Sequence, residues 1–351
     1  MKVLVTGGCG FIGNALVRRL LHLGAAVVNA DALTYAAAPE ALVPCEASPK
    51  YTFVHADIAD AQAMAALFAR HQPDAVAHLA AESHVDRSIA GPAEFIRTNI
   101  TGTASLLEAA HAYWAALPGA RRARFRFLHV STDEVFGALA PDDPPFTEAS
   151  PYAPRSPYAA SKAAGDHLVR AWAETYGLPV IVTNGCNTYG PWQHPEKLIP
   201  LMLARALAGK GLPLYGDGRQ VRTWLHVDDH AAALTAALDR GAPGGTYLIG
   251  SRDERRNIGV VRQLCALLDA RQPTAAPHAR LIALVADRPG HDRRYAVDPA
   301  RAEQTLGWSP AWQFEHGLAA TLDWYLAHRG WWQARLARAA FPPAPAWRAA
   351  E

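Results

Sequence analysis

The chain has 351 residues, and 34 Lys+Arg against 32 Asp+Glu leave a formal net charge of +2, which argues against a nucleic-acid protein driven by bulk charge. Its length fits two modest domains or one large domain with a smaller lobe, and 50% hydrophobic with 19% charged residues excludes a wholly disordered chain. No run of about 18 apolar residues occurs, so no membrane-spanning helix is expected. The opening MKVLVTGGCG breaks into glycines too early for a signal-peptide core, so a cytoplasmic protein is expected.

In the first half, short β-branched runs alternate with longer amphipathic stretches. Strands are expected at KVLVT (2–6), AVVNA (26–30), YTFVHAD (51–57), DAVAHLA (74–80), FRFLHVS (125–131) and PVIVTN (179–184). Helices are expected at 11–23, 60–71, 92–116 and 156–176. This alternation predicts an α/β fold, a doubly wound parallel sheet with helices on both faces. Thr6, Asp31, Asp57, Ser131 and Thr132 stand at strand ends, where open α/β sheets bind ligands. The Ala/Pro-rich stretch 36–49 reads as a rim loop. Beyond residue 185 the pattern turns irregular, as expected of a smaller mixed lobe. There LIPLMLARALAG (198–209) and NIGVVRQLCALLDA (257–270) read as helices. VRTWLHVDDHAAALTAALDRG (221–241) reads as a strand feeding a helix capped by Asp228 or Asp229. The tail FPPAPAWRAAE (341–351) is expected to fray.

TGGCGFIG (6–13) lies between the first strand and the first helix. It fits G-x-G-x-x-G through Gly8, Gly10 and Gly13, and G-x-x-G-x-x-G through Gly7, Gly10 and Gly13. Alone the match is weak; between a strand and a helix it marks a Rossmann dinucleotide-binding unit. A pyrophosphate needs close backbone approach, which excludes a Cβ, and a helix N-terminus supplies unpaired N–H groups. Asp31 follows Gly13 by 18 positions, at the end of the second strand. A carboxylate there accepts from the adenosine ribose hydroxyls and repels a 2′-phosphate, and DALTY (31–35) holds no arginine, so NAD is expected over NADP. Asp57 and Ile58 stand where an adenine amino group and ring would lie. Cys9 is read as a small residue filling the turn.

Tyr158 and Lys162, within SPYAASKAAGDHLVR (156–170), share one helix face at i, i+4 spacing. An ammonium near a phenol lowers its pKa, so Tyr158 is expected to act as a base toward a sugar hydroxyl. STDEVFG (131–137) puts Thr132, Asp133 and Glu134 at the end of the fifth strand. Two adjacent carboxyl groups divide acid and base work when their environments separate their pKa values. Cys9, Cys45, Cys186 and Cys265 are scattered, and the fifteen histidines form no HxH or HExxH, so reduced thiols and no metal are expected.

Over about residues 1–325 the chain resembles the extended short-chain dehydrogenase/reductase superfamily and, within it, closely resembles the dTDP-glucose 4,6-dehydratases of deoxysugar biosynthesis. The likeness runs through TGGCGFIG, DALTY, HLAAESHVDRSI (78–89), STDEVFG, YAASK (158–162), NTYGPWQHPEKLIPL (187–201), VRTWLHVDDHA (221–231) and ADRPGHDRRYAVD (286–298). The resemblance implies an NAD-dependent lyase. Tyr158 would take the C4 hydroxyl proton as hydride leaves C4, with Thr132 on the C4 oxygen. Glu134 would remove the C5 proton, Asp133 would protonate the departing C6 hydroxyl, and hydride would return at C6. It implies cofactor contacts by Gly7, Gly10, Phe11, Ile12, Gly13, Asp31, Ala32, Leu33, Thr34, Asp57, Ile58, Leu79, Ala80, Ala81, Thr98, Tyr158 and Lys162. It implies nucleotide-sugar contacts by Ser83, Thr132, Asn187, Lys197, Leu198, Pro213, Tyr215, Arg222, Asn257, Arg288 and His291. It further implies a homodimer built on the helices near 92–116 and 158–176.

The expected division is an NAD-binding domain over 1–185 with about 222–250 and 295–325, a substrate-binding lobe over about 186–221 and 251–294, and a C-terminal helix and tail over 326–351. Thr188 stands where family members commonly carry asparagine, which puts one cofactor hydrogen bond in question; Phe136 and His226 replace tyrosines. The nucleobase stays open between thymidine and uridine, with CDP- and GDP-sugars as further substrates to test. The runner-up is a nucleotide-sugar 4-epimerase, which needs Tyr158, Lys162 and the cofactor but has no use for Asp133 and Glu134. A silent dinucleotide-sensing scaffold would be expected to lose Tyr158 or Lys162.

Overall fold

The computed structural model describes residues 1–338. The first half runs β1 (Lys2–Thr6), α1 (Phe11–His22), β2 (Ala26–Asp31), β3 (Tyr51–His55), α2 (Ala61–His71), β4 (Ala75–His78), α3 (Val85–Ala90), α4 (Ala93–Ile96), α5 (Thr103–Ala115), α6 (Gly119–Arg124), β5 (Arg126–Thr132), α7 (Pro157–Tyr176) and β6 (Val180–Gly185). The second half runs β7 (Asn187–Tyr189), α8 (Leu198–Leu207), β8 (Leu212–Tyr215), β9 (Val221–His226), α9 (Val227–Arg240), β10 (Thr246–Ile249), β11 (Glu254–Arg256), α10 (Asn257–Arg271), β12 (Ile282–Val285), α11 (Ala300–Leu306), α12 (Phe314–Ala327) and α13 (Arg329–Arg338).

Seven strands form one parallel sheet in the order β10-β6-β5-β4-β1-β2-β3. Chain order reverses at β1, between β2 and β4, so the crevice for a ligand opens at the carboxyl ends of these strands. Helices α1 and α9 cover one face, burying Leu16, Val17, Leu20 and Leu234; α2, α5 and α7 cover the other, burying Leu67, Phe68, Leu106, Leu107 and Val169. A third core, with Ile199, Met202, Leu203, Val260, Leu264 and Leu318, holds the lobe together. The sheets β11-β9-β7 and β12-β8 frame that lobe.

Four expectations need correction. The stretch 36–49 contains a 3₁₀ helix, Pro39–Cys45, seeded by proline in its first turn. The expected helix 92–116 is interrupted by a π turn, Arg97–Gly102, which carries Thr98 and Asn99. A π turn adds a residue to one helical turn without disturbing the apolar pattern on either side, and such turns recur at functional sites. The cap of α9 is His226, whose Nδ1 accepts from the Asp228 amide; Asp229 instead accepts from the amides of Ala311 and Trp312. The seventh strand, β10, went unforeseen: TYLI is short and falls beyond residue 185, where the strand–helix alternation is lost. The tail 341–351 lies outside the described residues.

Candidate active site

The glycine turn between β1 and α1 is fixed by crowding. Gly7 has φ +72°, and a Cβ there would lie 2.6 Å from the Ala80 nitrogen. A Cβ on Gly13 would lie 2.1 Å from the Gly7 carbonyl oxygen. Gly10 begins α1 with no side-chain cap, so the first-turn amides are left without intrahelical partners at the cleft. That donor set, with its positive dipole end, fits a pyrophosphate. Asp31 is buried; one carboxylate oxygen accepts the Cys9 amide at 2.8 Å and the other the Leu33 amide at 2.8 Å. The group is locked, and each oxygen keeps a lone pair for a ribose hydroxyl. Burial raises its pKa against the pull of those two amides. Despite partial burial, the Ala59 amide and Arg97 hold Asp57 below the usual carboxylate range.

A cleft of about 330 Å³ runs along these strand ends. Gly7, Gly10, Phe11, Ile12, Gly13, Asp31, Ala32, Thr34, Asp57, Ile58, Leu79, Ala80, Ala81, Thr98, Tyr158 and Lys162 all line it. Leu33 does not: it has φ +52° and an exposed side chain on the rim. Cys9 is buried in the turn and its thiol is pushed up to about 12, first by burial and then by Asp31, which removes it from thiolate chemistry. Thr188 lines the cleft, but its hydroxyl donates to the Cys186 carbonyl and meets His230 Nδ1 at 2.8 Å.

Ser156 caps α7 by accepting the Ala159 amide, with Pro157 at the first helical position, and this presents Tyr158 to the cleft. Thr132, Asp133 and Glu134 enter from the end of β5 through a short 3₁₀ turn that the Thr132 hydroxyl caps. Burial, then the adjacent Glu134, pushes Asp133 up to about 7. Burial also raises Glu134, against the pull of Arg288, Arg222 and Lys197. The expected lowering of the Tyr158 pKa is not seen. Burial, then Glu134, raises it, while Lys162 donates from Nζ to the Val130 carbonyl at 2.8 Å. Burial pushes Lys162 itself down to about 8, opposed by Asp166.

A second cavity of about 250 Å³ adjoins the first. Ser83, Glu134, Asn187 and Lys197 line both, so Glu134 stands at their junction. Leu198, Pro213, Tyr215, Arg222, Asn257, Arg288 and His291 line the second. Arg222 is 4% exposed, a buried arginine and not a surface one. It donates to the carbonyls of Val221 and Asp292 and lies 4.1 Å over the Tyr295 ring. Lys197 Nζ reaches the Ser83 carbonyl at 2.8 Å. Three further residues went unforeseen. Asp86 accepts the Tyr215 hydroxyl and lies 3.5 Å from Arg288. Glu196 lines both cavities and accepts the Tyr35 hydroxyl. Tyr295 backs Arg222. Asp86 and Glu196 lie inside the matched HLAAESHVDRSI and NTYGPWQHPEKLIPL segments, which is the signal that could have found them.

Comparison with known proteins agrees with this geometry. The family model described as GDP-mannose 4,6 dehydratase matches residues 4–321. The dTDP-glucose 4,6-dehydratase 1 of Escherichia coli (strain K12) is 56% identical over 340 residues, 94% of each chain. Among solved structures, DesIV (dTDP-glucose 4,6-dehydratase) from Streptomyces venezuelae, determined with NAD bound, is 45% identical at a TM-score of 0.86, over 95% of this chain and 100% of that one. The dTDP-glucose 4,6-dehydratase of Bacillus anthracis in complex with NAD is 40% identical at a TM-score of 0.84, over 95% of this chain and 99% of that one. The chain therefore belongs to the family described by the GDP-mannose 4,6 dehydratase model and groups within it with the dTDP-glucose 4,6-dehydratases.

Proposed function

We propose that this chain is an NAD-dependent lyase that converts dTDP-glucose to dTDP-4-keto-6-deoxyglucose. One observation carries the reading: buried Asp133 and half-buried Glu134, adjacent carboxyl groups of raised pKa, line a dinucleotide cleft that meets, at Glu134, a cavity lined by Lys197, Arg222 and Arg288. Those cations suit a diphosphate. The glycine cradle and the locked Asp31 suit NAD. Bound NAD would supply the hydride acceptor at C4 and the hydride donor at C6.

Tyr158 takes the proton of the C4 hydroxyl, with Thr132 hydrogen-bonding the same oxygen. The 4-keto group so formed acidifies C5–H. Glu134 removes that proton, and Asp133, protonated up to about pH 7, gives its own to the departing C6 hydroxyl. The burial of Asp133 and the partial burial of Glu134 restrict the access of bulk water to the exchange. Lys162 acts as an ammonium beside Tyr158, offsetting the burial and the Glu134 charge that raise the phenol pKa, so that the phenolate can form. An epimerase reverses its oxidation at one carbon and has no step for this acid–base pair.

The test is mass spectrometry of purified protein incubated with dTDP-, UDP-, CDP- and GDP-glucose. Loss of one water from the dTDP-sugar is expected, and an unchanged mass with an inverted C4 would replace this reading with an epimerase. The domain division set out from the sequence is part of this proposal. So is a homodimer through the outward faces of α4, α5 and α7, supported by the exposure of Ile96, Ala160 and Ala171 and tested by light scattering. A cytoplasmic location is supported by four unpaired cysteines, and none of the described helices is long and apolar enough to cross a membrane.

A further inference from the structure

Behind the catalytic helix lies a carboxylate that none of these steps uses. Asp166 follows Lys162 by one turn of α7, on the same face, and is 0% exposed. Its Oδ2 accepts the Tyr152 hydroxyl at 2.7 Å and Asn184 Nδ2 at 3.1 Å, and its Oδ1 lies 3.1 Å from His129 Nε2. Tyrosine and asparagine are neutral donors. Burial holds His129, on β5, and His78, beside it on β4, below the ordinary histidine pKa, so both rings are neutral near pH 7. This cage holds an anion without cancelling it. Arg170, on the same helix, reaches the cage through the Tyr152 hydroxyl, to which its Nη2 donates at 2.8 Å, and not through the Asp166 carboxylate. Asp133 and Glu134, from the turn after β5, face Tyr158. Lys162 is buried too, and its Nζ donates to a neutral carbonyl, that of Val130. A buried ammonium with no counter-charge sheds its proton.

We propose that Asp166 is a positioning residue for the reaction: from behind α7 it supplies the fixed negative charge that keeps Lys162 an ammonium beside Tyr158. This rests on the role given to Lys162 above. The two groups respond as such a pair should. Asp166 opposes the burial that brings Lys162 down to about 8. In spite of its own burial, Asp166 is held below the usual carboxylate range by His129, Lys162 and Tyr152.

The chain has five lysines, Lys2, Lys50, Lys162, Lys197 and Lys210, so the Cε signals of ¹³C-lysine-labelled protein can be followed one by one. The signal that disappears in Lys162→Met is assigned to Lys162. In Asp166→Asn its titration midpoint is expected to fall by about one unit, a tenfold fall in the ratio of ammonium to amine at a given pH. The pH profile of dehydration should slide to lower pH with it. Asp166→Glu, which restores the carboxylate, should restore the wild-type midpoint. An unmoved midpoint in folded Asp166→Asn overturns the proposal. Should the asparagine variant not fold, Asp166→Ser, also uncharged, takes its place, and an unmoved midpoint there is equally fatal. Conversion of dTDP-glucose by the wild-type preparation tests the functional reading separately.

Discussion

Asp133 costs the protein stability in return for its chemistry, and Asp133→Asn should expose that cost. The side chain is 1% exposed, and its Oδ2 has no hydrogen-bond partner among the described residues. Its pKa rises from 3.8 to about 7 on folding. For a carboxyl whose folded pKa is raised, the stability present at low pH is lost as pH climbs from the unfolded value to the folded one. At about 1.36 kcal/mol per unit, the ceiling is about 4 kcal/mol above pH 7. Relaxation and water entry reduce this, and ~1–2 kcal/mol is the working figure. An amide of the same shape carries no such penalty. Asp133→Asn should therefore melt a few degrees higher than wild type at about pH 8, with a smaller gap at about pH 5, while product formation falls by at least ~10²-fold. Thermal melts of both proteins at equal, saturating NAD, paired with product mass, read all three. A variant less stable than wild type at about pH 8, or a gap that does not grow with pH, would refute the burial argument.

Glu134→Gln should oxidise C4 but stall before elimination, so reduced cofactor builds up and is seen by its absorbance; full turnover would remove Glu134 from its role. Gly13→Ala puts a Cβ 2.1 Å from the Gly7 oxygen and should abolish NAD binding, destabilising the fold by ~2 kcal/mol or more in a melt; unchanged NAD titration would show that the turn has room. Asp31→Ala should weaken NAD by about tenfold or more in a binding titration and narrow the preference over NADP, because a carboxylate that accepts from ribose hydroxyls and repels a 2′-phosphate is gone.

The parts of this fold that were legible in the sequence are those where one local rule suffices. Continuous apolar strands and the glycine turn each declare themselves within a few residues. The π turn at Arg97–Gly102 did not, because its extra residue leaves the apolar spacing of the flanking helices intact. His226 displaced Asp228 and Asp229 as a cap because Asp229 is committed to the distant amides of Ala311 and Trp312. The spacing of Tyr158 and Lys162 placed them on one face of α7 but said nothing of the charges around them. Burial and Glu134 raise the phenol pKa, and Lys162 turns to the Val130 carbonyl. The buried state of Arg222 is likewise a tertiary fact, set by Tyr295 and the Asp292 carbonyl.

The central claim is that hydrogen lifted from one sugar carbon is returned to another without leaving the site. Substrate carrying deuterium at C4 tests this most directly. The account predicts a product lighter by one water, with the label at C6. Deuterium lost to the solvent, or retained at C4 in an undehydrated sugar, would contradict it.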